Sequence, residues 1–128
     1  MKIILNMFFS ALLVGCVSTQ VKPDTTEQER ETKSIYAGYV ACLNERTEVY
    51  TPTANTPSDI ADAILFDCGR QLQEYKASVK KFLDVSIGPD NRYYYFEVTT
   101  GLDQRIEKVR EESRRLIISK VLQGRNRK

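Results

Sequence analysis

The stretch that decides the fold is residues 57–84, PSDIADAILFDCGRQLQEYKASVKKFLD. Ala61, Leu65, Cys68, Leu72, Tyr75, Val79 and Phe82 recur along it at alternating spacings of four and three. Apolar residues at that period line one face of an α-helix. Ile60, Ile64 and Leu83 widen the stripe beyond a two-stranded seam, so the segment belongs in a small bundle. Its start is well marked. Thr56 suits the capping position, Pro57 the first helical position, and Asp59 and Asp62 the positive end of the helix dipole. One continuous helix over about 57–84 is expected.

Upstream, YTPTANTP (residues 50–57) has the threonine, asparagine and proline content of a loop. Before it, SIYAGYVACLNER (34–46) predicts a first helix. Ile35, Tyr39 and Cys42 form one stripe, and Tyr36, Val40 and Leu43 a neighbouring one. Gly38 weakens that helix and is expected to admit a close backbone approach. Downstream, Gly88-Pro89-Asp90-Asn91 is turn chemistry. Tyr93 to Thr100 is rich in aromatic and β-branched residues. It reads as a short extended segment on the bundle, or as the start of the next helix. A last helix is expected over about 101–123, with Leu102, Ile106, Val109, Leu116, Ile117 and Val121 on its apolar face and Gly124 at its end. A Glu111–Arg115 pair has favourable spacing on it. The fold class is all-α: an antiparallel bundle of about three helices in residues 34–128.

The N-terminus has a different character. Lys2 is a short positive region, and Ile3 to Val14 is an apolar run too short for a membrane span, which needs about 20 residues. Leu13-Val14-Gly15-Cys16 resembles the lipobox of bacterial lipoproteins. The resemblance implies a signal peptide over 1–15 and a diacylglycerol on the Cys16 thiol, with Cys16 as first mature residue. Val17, where an Asp would favour inner-membrane retention, implies the outer membrane, facing the periplasm. Residues 16–33 are then the lipidated N-terminus and a polar tether with a reach of roughly 20–25 Å. Within it, Asp24 and Glu27 have capping-box spacing and Glu29 and Lys33 pair at i,i+4.

Cysteine usage fits that compartment. With Cys16 acylated, Cys42 and Cys68 are an even pair where disulfides persist. They lie symmetrically about position 55, inside the loop, and both sit on apolar stripes. A disulfide stapling the first two helices is expected, worth roughly 3–4 kcal/mol in the chain-entropy model.

Little in the chain points to chemistry. There is no His, so triads built on it are absent, and a formal net charge of +2 argues against nucleic-acid binding. No cofactor or metal is expected. A carboxylate hydrolase using Asp59, Asp62 and Asp67 is the least favoured alternative. Two features suit binding. Tyr93, Tyr94, Tyr95 and Phe96 are interface material, and the basic C-terminal third includes Arg110, Arg114 and Arg115. Small, disulfide-stapled helical lipoproteins resemble the helical pilotins of secretion systems, which grip a short helix of a larger outer-membrane subunit. That likeness is one of architecture and carries no residues over. The expected function is a non-catalytic binding or adaptor module with an envelope protein partner. A structural component contacting peptidoglycan or lipopolysaccharide is the alternative.

Overall fold

The computed structural model describes residues 24–88 and 91–127. The expected signal peptide, the lipobox-like stretch with Cys16, the expected tether up to residue 23, and Pro89, Asp90 and Lys128 lie outside the described residues. Four helices follow in order: α1 (Thr26–Tyr50), α2 (Pro57–Asp67), α3 (Gly69–Ile87) and α4 (Arg92–Asn126).

α1 begins earlier than expected, inside the segment read as tether. Asp24 Oδ1 accepts the Thr26 N–H (3.0 Å), and Glu27 and Glu29 stand in the positively polarised first turn. The Glu29–Lys33 pair forms as its spacing predicts, at 2.5 Å. α2 starts as the sequence dictates. Thr56 is extended, its Oγ1 accepts the Asp59 N–H (3.2 Å) and donates to Asp59 Oδ2 (2.7 Å), and Pro57 follows.

The single helix expected over 57–84 is two. Cys68 leaves helical geometry at φ −92° and ψ 8°, and Gly69, the poorest helix former inside the run, comes next, Pro57 standing at the start where it suits the helix. The break is a joint rather than a loop, because Cys68 N–H still donates to Ile64 O (2.9 Å) and Leu72 N–H to Cys68 O (3.2 Å). α2 and α3 therefore act as one jointed leg, and four helices make three legs.

Long-range pairs give the topology. Thr32 Oγ1 donates to Ser78 O, Lys81 pairs with Glu31, and the Tyr36 and Tyr75 rings lie 4.9 Å apart, so α1 and α3 are antiparallel. Lys76 pairs with Asp103 and Arg114 with Asp62, so α4 runs back along both α3 and α2. Its 35 residues are enough to span the 19 of α3 and the 11 of α2 laid end to end. α1 and α4 are then parallel neighbours, joined by Tyr39–Ser113 and Asn44–Lys120.

The expected disulfide is present. Cys42 and Cys68 are bonded with Cα atoms 6.0 Å apart, and Cys68 is fully buried at the α2–α3 joint. Around it pack Tyr39 and Leu43 of α1, Ile60, Ala61, Ile64 and Leu65 of α2, Leu72 of α3, and Leu102, Ile106, Ile117 and Val121 of α4. The buried threonine and serine hydroxyls are satisfied: Thr47 Oγ1 donates to Leu43 O (2.6 Å), Ser78 Oγ to Tyr75 O (2.8 Å) and Ser113 Oγ to Val109 O (2.8 Å). The core thins toward the α3–α4 turn, where Val79, Phe82, Leu83 and Ile87 are only half-buried.

Three further expectations are corrected. The aromatic segment is not extended. It is the first turns of α4, the second of the two readings above, because the helix entered at Arg92 continues without a break. Gly124 does not end α4, which runs on to Asn126. Instead a Cβ there would meet Thr51 Cγ2 at 3.0 Å, so its small size lets the α1–α2 loop close on the helix. Gly38 admits no close approach, since a Cβ would meet nothing within 4 Å.

Candidate functional site

The two clusters of binding candidates have different fates. At the start of α4, Tyr95 is tied down: its hydroxyl donates to Asp84 Oδ1 (2.5 Å) and accepts from Lys80 Nζ (3.0 Å), while Lys80 also pairs with Asp84 (3.1 Å). The Tyr95 hydroxyl and the ammonium hold the Asp84 carboxyl below its ordinary value, and the phenol and carboxylate raise Lys80. Asp84, Gly88, Arg92 and Tyr95 line a cleft of about 380 Å³ at this turn. The neighbours point outward, with Tyr93 77% exposed, Phe96 69% and Tyr94 52%.

The basic residues are mostly used internally. Arg114 Nε donates to Asp62 Oδ1 (2.8 Å) and its Nη2 to Ser58 Oγ (2.5 Å), joining α4 to the start of α2. The guanidinium holds the Asp62 carboxyl below its ordinary value. Arg125 donates to the carbonyls of Thr51, Thr53 and Asn55, closing the α1–α2 loop. Lys120 donates to Asn44 Oδ1 (2.6 Å). Arg110 lies 4.0 Å from Glu107, which is the ion pair found on this part of α4 among the described residues. Arg115 is exposed.

The three aspartates considered for catalysis each meet a different partner: Asp59 the Thr56 cap, Asp62 Arg114, and Asp67 the Tyr50 hydroxyl (3.1 Å) and Arg46 (3.8 Å). Among the described residues no group of three or more His, Cys, Asp or Glu could hold a metal ion, and no helix is long and apolar enough to cross a membrane.

A surface that the sequence does not single out lies between α1 and α4. Fewer residues join these parallel legs than join α1 to α3 or α4 to α2, and a trough of about 240 Å³ opens between them. Leu43 and Ser113 form its floor. Tyr36 and Val40 stand on one wall, Val109 and Leu116 on the other. Beyond the Asn44–Lys120 bridge it continues as a more polar hollow of about 520 Å³, edged by Thr47, Glu48, Thr51, Pro52 and Gly124. In sequence these apolar residues read as core. The signal was available in α1, which carries two adjacent stripes, one more than a corner helix of a three-legged bundle can bury.

The trough is open, with apolar walls and with Asn44, Glu112 and Lys120 along its edge. Chemically it can take an apolar ridge, such as that of a helix. Compared with known proteins, the chain matches no family model, no curated protein and no solved structure.

Proposed function

We propose that this chain is a lipid-anchored cell-envelope protein, held at the outer membrane through Cys16 and facing the periplasm, that works by binding rather than catalysis. The α1–α4 trough takes the apolar face of a helix from an envelope protein partner. One observation carries this reading: Tyr36, Val40, Val109 and Leu116 form two facing apolar walls that the bundle itself leaves half-covered. Two parallel helices presenting such walls offer the ridge-and-groove geometry on which a third helix packs. The lipobox resemblance at Leu13 to Cys16 supports the anchor, and the polar segment after it supports a tether.

The test is photo-crosslinking in living cells from a benzoylphenylalanine probe replacing Leu116, with the same probe replacing Phe66 on the outer face of α2 as control. The expected result is one protein captured from position 116 and not from position 66. No protein above background at 116 overturns the adaptor reading. The anchor has its own test. Cys16→Ser is expected to abolish incorporation of labelled palmitate and retention in the membrane fraction, and unchanged fractionation with unchanged labelling removes it.

A further inference from the structure

We infer that the Gly88 end of the bundle seats on a phospholipid bilayer, with Tyr93, Tyr94 and Phe96 entering the headgroup layer; the inference rests on the lipid-anchor reading. Tyr93 and Phe96 are neighbours one helical turn apart on the free side of α4. Tyr94 lies on the side toward α3, where it edges an apolar groove of about 390 Å³ with Phe82, Leu83, Ile87 and Val98. The first turn of α4 thus carries exposed rings on both sides, with half-buried aliphatic residues beside them, and large exposed rings with polar tips are what bilayer interfaces favour.

The route of the chain selects the occupant. Thr25 lines that same groove beside Ser86 and Ile87, so the chain leading to Cys16 enters the bundle among these rings. Residues 17–24 span at most about 28 Å at full extension. The opposite end, at the α1–α2 loop, lies a further ~37 Å along α1. An acyl group on Cys16 therefore delivers the Gly88 end to the membrane, where the aromatics meet the headgroups. Tyr95, bonded to Asp84 and Lys80, fixes the first turn of α4 and keeps its three neighbours turned outward. Lysines at this end are paired, Lys81 with Glu31, Lys80 with Asp84 and Lys33 with Glu29. Arg92 and Arg105 also lie at this end, so salt weakens the contact on an anionic bilayer without abolishing it, the rings supplying the rest.

The experiment uses the full chain purified from bacterial membranes, with benzoylphenylalanine replacing Phe96 or, separately, Leu122 near the other end of α4. Each protein is reconstituted in vesicles of three parts phosphatidylethanolamine to one part phosphatidylglycerol, irradiated at low and high salt, and read by intact mass. The expected result is a phospholipid adduct several-fold more abundant from position 96 than from 122, at both salt concentrations. Equal yields, no lipid adduct, or an adduct with the mass of a second copy overturns the seating. The same spectra report the acyl groups on Cys16. A lipid adduct at 96 on an unacylated chain leaves the seating standing and removes the anchor reading.

Discussion

Arg114 and Tyr39 show what single residues contribute. The Tyr39 hydroxyl, buried between α1 and α4, donates to Ser113 Oγ at 3.1 Å, and burial pushes the phenol above its ordinary value. Ser113 interrupts the apolar line of α4 because this polar cross-link requires an acceptor there. Arg114, its neighbour, faces the other way and holds α2 through Asp62 and Ser58. The Asp62 carboxyl in the folded chain lies below its ordinary 3.8. Stability from the ionised pair is therefore full above the ordinary value and is lost as pH falls through the folded one. Arg114→Gln is expected to melt below the parent protein at neutral pH, with the two midpoints converging below about pH 4. A gap that persists unchanged into strong acid would assign the effect to the Ser58 hydrogen bond or to packing instead. The pair is exposed, so added salt should narrow the gap at neutral pH too.

At the scale of elements, periodicity made much legible and local chemistry the rest. The start of α2 could be read from Thr56-Pro57 and Asp59, since cap and dipole act within one turn. The α2–α3 joint could not be read from the heptad, because a pattern of side chains continues across a change of backbone direction. Gly69 beside a disulfide-bonded Cys68 was the available mark. The aromatic start of α4 misleads because β-propensity reflects packing on a sheet, and this chain offers its tyrosines no strand to pair with among the described residues. The trough was hidden for a related reason. An apolar stripe announces burial but not how completely the neighbours cover it, so Leu116 at 51% exposure and buried Ile117 look alike in sequence. Gly38 offers a clean test at this scale. It sits inside α1 on the solvent side, where an added Cβ meets nothing within 4 Å. Gly38→Ala is expected to raise stability by about 1 kcal/mol in urea denaturation. A loss of stability would mean that this face of α1 is covered.

For the whole molecule, the three legs divide the labour by position. The dense core surrounds the Cys42–Cys68 bond and the α1–α2 loop end, while Tyr93, Tyr94 and Phe96 are exposed where the core thins. Much of the apolar surface left uncovered lies at one end and along one seam, the two surfaces proposed above for bilayer and partner, while Phe66 stands apart on α2. The disulfide has one more consequence, for what a protease can do to the molecule. The α1–α2 loop of Thr51–Thr56 carries exposed Pro52, Ala54 and Asn55, and loop tips of this kind are where chains are nicked. Cys42 and Cys68 stand on either side of that loop, so a single cut there yields two fragments that stay covalently joined. Limited proteolysis at the loop is expected to leave one band on a non-reducing gel and two after reduction. The piece bearing the N-terminus keeps hold of α4, and a clipped copy is not split across its trough.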